Sequence, residues 1–228
     1  MKFENAKVFG FENAVIGARL PMCRSFDEAQ RKCDATSCES TNCSMCNPNF
    51  VCDDFIAGNK DIDLLKRLIK ADENGSSQPN SKFLRMIHCQ VCITAPVYFF
   101  SEIDTYKVGT TRNSSSVMHK GVSEPYRINN FTIDNGMDEE DMEWWQNTVH
   151  YLNTLRDKYL ETKDFKYFRK LRQALPMGYN YVSMMDLDYA TLRNMYYWRC
   201  KHPHRLTEWS KEFKAFVETL PYSELITC

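Results

Sequence analysis

Residues 164–199, DFKYFRKLRQALPMGYNYVSMMDLDYATLRNMYYWR, decide how this chain folds. The spacing predicts a helix from Asp164 to Ala174. Leu175-Pro176 closes it, because the residue before a proline is pushed away from helical backbone angles. Tyr179 to Met185 reads as a short strand or extended piece. Asp188 can cap a further helix that runs through Arg199. Helix, strand and helix in close succession indicate an α+β domain.

The neighbouring sequence extends that pattern. Asp138 to about Thr162 reads as a long helix, and a last helix runs from about Pro203 to Leu220. Upstream, Phe83 to Ile93 is a strand candidate with Phe83, Ile87, Cys89, Val91 and Ile93 on one side. Pro96 suits the first turn of a helix from Val97 to about Tyr106. Lys107 to Lys120 is polar and reads as a loop. Asp61 can cap a helix whose apolar positions are Ile62, Leu65, Leu68 and Ile69, ending near Asn74-Gly75. Lys7 to Phe11 is a strand candidate, and Glu12 to Leu20 has helical character. Residues 21–59 carry no clear period and read as loop and insertion.

Composition limits the function. With 228 residues the chain suffices for one larger single-core domain, expected over 1–228. At 43% hydrophobic and 26% charged it is neither collagen-like nor wholly disordered. Lys+Arg 29 against Asp+Glu 30 gives a net charge of -1, which leaves no global footprint for nucleic acid or an anionic membrane. No apolar run reaches bilayer-spanning length. The first residues, MKFENAK, lack the apolar core of a secretory signal, so a cytoplasmic protein is expected.

Ten cysteines are the odd feature, and Cys23, Cys33, Cys38, Cys43, Cys46 and Cys52 crowd into the insertion. In a cytoplasmic protein such a group reads as metal ligands or reduced thiols. Cys43 and Cys46 have the gap that lets two thiolates share a tetrahedral zinc, with Cys38 and Cys52 to complete it. A second C-x-x-C knuckle is missing, and Cys89 and Cys92 fall on opposite faces of the strand candidate. Plain thiols in a polar insertion explain the pattern without a metal, and no metal ligand is assigned.

The polar segment after Lys107 carries Thr110, Thr111, Arg112, Ser114, Ser115, Ser116 and Lys120. Such donors can hold a phosphate; a solvated surface loop accounts for them equally. No Walker pattern or G-x-G-x-x-G occurs. Arg199 suits the last turn of its helix through the helix dipole. Its neighbours Tyr196, Tyr197 and Trp198 suit either core packing or the wall of a flat ligand.

From Pro96 onward the chain resembles the flavin-dependent thymidylate synthases. That family has A-R-x-x-L-P, an extended piece, and then a helix with an Asn five residues before an Arg. Arg172, Leu175, Pro176, Asn194 and Arg199 match it without a gap. Glu208 matches the Glu of the following helix if one residue is inserted near His202. Ile93-Thr-Ala-Pro-Val-Tyr-Phe-Phe100 resembles the strand and helix leading into the signature loop. The likeness extends to Asp61 to Lys82 and covers most of the chain outside the cysteine insertion.

The resemblance implies a central antiparallel or mixed sheet with flanking helices. It implies that Arg172 and Arg199 contact dUMP, with Ser115 or Ser116 from the signature loop and Glu102 just before it. It places Asn194 against FAD, with Thr105, Tyr106 and Lys107 at the positions of the signature's R-H-R. The implied reaction transfers a one-carbon group from methylenetetrahydrofolate to dUMP, or to a related pyrimidine nucleotide, and reduces it through FAD and NADPH. A homotetramer and no cysteine nucleophile are implied as well.

The family signature R-H-R-x-x-S-x-N-E-x-S-x-R is rewritten here. Its Glu becomes Asn113 and its last Arg becomes Val117. Lys107 keeps a positive charge but cannot copy a guanidinium fork, and each charge-assisted bond lost is worth about 1.5–3 kcal/mol. A second reading is therefore a non-catalytic protein that keeps the fold and a nucleotide pocket or oligomer interface. A third is a metal-stabilised binding module built on the cysteine insertion.

Overall fold

The structure, a computed structural model, describes residues 1–34, 36–37, 50–52, 55–72, 79–134, 136–203 and 206–228. In chain order the elements begin with β1 (Lys2–Phe9), α1 (Phe11–Arg19) and α2 (Phe26–Lys32). Then come β2 (Thr36–Ser37), β3 (Phe50–Cys52), β4 (Phe55–Ile56), α3 (Asn59–Asp72), β5 (His88–Pro96) and α4 (Val97–Ile103). The middle holds β6 (Thr110–Ser114), α5 (Val117–Lys120), α6 (Glu139–Thr162) and α7 (Phe165–Ala174). The chain closes with β7 (Asn180–Asp188), α8 (Tyr189–Met195), α9 (Lys214–Glu218) and α10 (Glu224–Thr227).

The cap read from sequence at Asp188 is in place, and the helices expected from Asp138 and Asp164 are capped by those same residues. Asp138 and Asp141 form a reciprocal capping box at the start of α6. Asp164 accepts from the Lys166 N–H at 2.9 Å to open α7, and Asp188 accepts from the Thr191 N–H at 2.7 Å to open α8. The first half departs from expectation. Asp61 lies inside α3, not at its cap; the cap is Asp34, whose carboxylate accepts the N–H groups of Lys60 and Asp61. Residues 21–59 are not all loop, because Ser25 caps α2 and β3 joins the sheet. The first strand begins at Lys2, and Lys82–Met86 is a 3-10 turn ahead of β5. Cys38, Cys43 and Cys46 lie outside the described residues.

The sheet has five strands in the order β3-β1-β5-β7-β6. β1 pairs with β3 in parallel, Ala6 opposite Phe50. β7 runs antiparallel to β5: Tyr189 N–H donates to Ile87 O at 2.9 Å and Val97 N–H to Tyr179 O at 3.0 Å. It is also antiparallel to β6: Asp188 N–H donates to Gly109 O at 3.0 Å and Ser115 N–H to Val182 O at 2.8 Å. The sheet is therefore mixed. Along β5, Cys89, Val91, Ile93 and Ala95 are buried, the alternation expected of a half-covered strand. Burial pushes the Cys89 thiol up to about 12, so it stays protonated and acts as a small hydrophobe.

The chain forms two compact units. The first comprises residues 1–2, 93–105 and 113–183. Its core is Tyr126, Phe131, Trp145, Leu152, Leu155 and Leu171, where the apolar faces of α6 and α7 meet the segment before them. The second comprises residues 3–92, 106–112 and 184–228. There Phe11 meets Tyr189 and Tyr222 edge-on at 5.5 and 4.7 Å between centroids. The Tyr189 hydroxyl donates to Pro221 O at 2.6 Å, so the buried phenol is satisfied. Gly10 turns β1 into α1 at φ 98°, where a side chain would strike the Met86 carbonyl. Among the described residues, no helix is long and apolar enough to cross a membrane.

Candidate functional site

Arg199 is the best-fixed of the sequence-selected residues. The helix after Asp188 does not run regularly to it: α8 stops at Met195 and Tyr196–Cys200 widens into a π turn. Such turns recur at functional sites because they re-aim side chains. Tyr196 and Cys200 turn inward, while Tyr197 and Trp198 are exposed and meet edge to face at 5.0 Å. The aromatic run therefore splits, one ring to the core and two outward. Arg199 is half-buried. Its Nε donates to the Tyr106 hydroxyl at 3.0 Å. Its guanidinium lies over the Tyr106 ring at 5.5 Å and the Trp209 ring at 5.9 Å. Each cation–π contact is worth about 0.5–2 kcal/mol.

Asn194 is exposed on α8, and Lys107 is exposed just ahead of β6; both belong to the same unit as Arg199 and Tyr106. Val108 and Gly109 tie that segment to α8, the Thr191 hydroxyl donating to Val108 O at 2.8 Å. Glu208 is buried at the start of a second π turn, Glu208–Phe213.

Arg172, Ser115, Ser116, Glu102 and Thr105 fall in the other unit. Arg172 is half-buried in the last turn of α7, and its charge reaches the phenols of Tyr126 and Tyr179. Ser115 is engaged in the sheet: its hydroxyl accepts from the Val182 N–H at 3.3 Å. The Thr105 hydroxyl donates to Glu102 O at 2.7 Å. Ser116 is half-buried and precedes α5.

The segment read as a loop from Lys107 to Lys120 instead contains β6 and α5. Sequence reading also missed Tyr106 and Trp209 as the residues that fix Arg199. A further unsignalled pair lies across β5 and β7, where His88 Nδ1 is 2.9 Å from Asp186 Oδ1 and Gln90 donates to the other carboxylate oxygen. Among the described residues, no group of His, Cys, Asp and Glu could hold a metal ion.

No family model and no curated protein matches the sequence. Solved structures do match the fold. A flavin-dependent thymidylate synthase ThyX from Helicobacter pylori, complexed with FAD and dUMP, superposes at TM-score 0.62 and 16% identity, covering 99% of this chain and 98% of that one. A second ThyX structure from that organism, also with FAD and dUMP, gives TM-score 0.65 at 15% identity, over 100% and 97% of the two chains. A UMP/dUMP methylase PolB from Streptomyces cacaoi, bound with 5-Br dUMP, gives TM-score 0.59 at 12% identity over 99% and 94%.

Proposed function

Because the chain has the fold of the flavin-dependent thymidylate synthases, we propose that it binds a pyrimidine mononucleotide, dUMP or a close relative, and transfers a one-carbon group to it from methylenetetrahydrofolate. One observation carries the reading. Arg199, the residue that the resemblance gives to dUMP, is locked by Tyr106 and Trp209 on a fold whose solved examples hold dUMP or an analogue. Arg172 and Asn194 stand at the other matching positions. NADPH as reductant, a homotetramer and a cytoplasmic location belong to the same proposal.

FAD is the cofactor that this reading implies, and the donor set tests it. A flavin diphosphate needs positive charge and N–H or O–H donors. The Thr105 hydroxyl proton is already directed at Glu102 O, while the Tyr106 hydroxyl accepts from Arg199 and keeps its own proton to donate. That leaves the Tyr106 hydroxyl, the Asn194 amide and, as the one positive charge, the Lys107 ammonium. One point charge does not replace a guanidinium fork. These residues do not fit FAD as the resemblance arranges it.

That misfit favours a second reading, a non-catalytic homologue that keeps the nucleotide pocket or an oligomer interface. The visible absorption spectrum of the purified protein, followed by a dUMP titration, separates the two. A yellow protein that binds dUMP supports the enzyme. A colourless protein that takes up no added FAD yet binds dUMP supports the homologue. Absence of dUMP binding overturns the nucleotide reading. The metal-stabilised module is tested by metal analysis, where about one zinc per chain would support it.

A further inference from the structure

A cavity of about 280 Å³ opens beside α5, within the unit that contains Arg172. Lys120, Glu124, Arg127, Asn129 and Tyr179 line it. Its wall is pinned to α6. Asn153 accepts from the Tyr126 N–H at 2.7 Å and donates to Tyr126 O at 2.9 Å. Arg156 Nε donates to Val122 O at 3.1 Å, and the Tyr126 hydroxyl donates to Gly121 O at 2.7 Å. A wall fixed in this way loses little freedom when a ligand enters.

The lining has the chemistry of an anion site. Lys120 and Arg127 are exposed, and among the described residues neither forms an ion pair. Glu124 opposes them with a single carboxylate, so the lining carries net positive charge. Burial pushes the Tyr179 phenol up, and Arg172 only partly offsets this, so at neutral pH the hydroxyl keeps its proton as a donor. The volume lies just below the range of small-molecule sites, about 300–1,000 Å³. It suits one phosphate and part of a sugar, not a dinucleotide.

We propose that this cavity binds a phosphate monoester, with Lys120 and Arg127 as its cationic walls and Asn129 and Tyr179 as neutral donors. The proposal rests on the nucleotide reading above only in taking a pyrimidine mononucleotide as one source of that monoester. Two sources share this chemistry, a nucleotide and free phosphate, and the test separates them.

The full chain and its Lys120→Gln/Arg127→Gln variant are titrated calorimetrically with dUMP, with deoxyuridine and with inorganic phosphate. The expected result is at least tenfold weaker dUMP and phosphate binding in the variant, with deoxyuridine affinity unchanged. Glu124→Gln should tighten both anions several-fold. If phosphate alone binds, and is lost in the variant, the anion cavity stands and the nucleotide reading falls. If dUMP binds both proteins equally, the cavity proposal is overturned while the nucleotide reading stands. Binding of neither anion to the unmodified chain overturns both. Thermal melting checks that the variant is folded, and Arg127→Gln alone carries the same test with one charge removed.

Discussion

Arg199 Nε donates to the Tyr106 hydroxyl at 3.0 Å, joining residues 93 positions apart. A bond at Nε steadies the guanidinium plane through the edge that faces the protein. Replacing Arg199 by Ala should weaken dUMP binding at least tenfold, about 1.4 kcal/mol, in keeping with bonds to a charged group. Tyr106→Phe keeps the ring under the guanidinium and removes only the hydroxyl, so a smaller loss of about 0.5–1.5 kcal/mol is expected. Calorimetry of the two variants gives the order. Unchanged binding in Arg199→Ala removes Arg199 from the site.

Gly109 sits at φ 74° against the helix that carries Asn194 and leads to Arg199. A β-carbon there would collide with the Asp188 carboxylate that caps α8 and with the Thr191 hydroxyl. Gly109→Ala should therefore combine a left-handed backbone penalty of about 1–3 kcal/mol with damage to the cap. A lowered Tm is expected, together with faster amide exchange at Thr191. A Tm equal to that of the unmodified chain contradicts this account.

What was legible in the sequence depended on how local the cause was. Asp138, Asp164 and Asp188 cap helices two or three residues ahead, so their signal is complete within one turn. Asp61 looked like such a cap, but the cap came from Asp34, 27 residues earlier, and Asp61 turned inward to Arg19. Thr110–Ser114 carries no apolar alternation; it is a strand because β7 pairs its backbone, and polar side chains suit an exposed edge. The same limit applies to the site. Arg199, Asn194 and Tyr106 stand at positions of local motifs, but the hold of Tyr106 and Trp209 on Arg199 joins distant segments, and no local pattern records it. The Lys120–Arg127 cavity is likewise formed by a loop that Asn153 fixes from another element.

Asp72 gives a pH-dependent stability term. Burial would raise its carboxyl, but bonds from Ser81 and Asn80 outweigh this and hold it below the usual range. The Ser81 hydroxyl donates at 2.6 Å and the Ser81 N–H at 2.7 Å. A folded value below the unfolded one, about 3.9, means that this stability is present above the unfolded value. It is lost as pH falls through the folded one. Ser81→Ala should cost about 1.5–3 kcal/mol at pH ~7. The difference should shrink as Asp72 protonates in acid. Urea unfolding of both proteins at neutral and acid pH reads it, and a difference independent of pH would refute the assignment.

Asp61 has the opposite sign. Its side chain is fully buried and is bonded by Arg19 through Nε at 2.8 Å and through a second guanidinium nitrogen. The Asp34 N–H donates to its other oxygen at 3.1 Å. Burial raises the Asp61 carboxyl, and Arg19 only partly offsets this. Arg19→Met keeps the apolar stem but strands the carboxylate, a change that costs about 3–5 kcal/mol when a buried pair is broken. Without Arg19 the carboxyl rises further above its unfolded value. The folded variant then takes up a proton before the unfolded chain does, so it regains stability as pH falls between those two values. Urea unfolding should show the largest deficit near neutral pH and a smaller one near pH ~5. Arg19→Met/Asp61→Leu should recover most of the loss, because a well-packed apolar pair replaces a buried ion pair at little cost. A deficit that stays constant with pH, or a double variant no better than the single one, would show that Arg19 stabilises the α1–α3 contact through its stem instead of its charge.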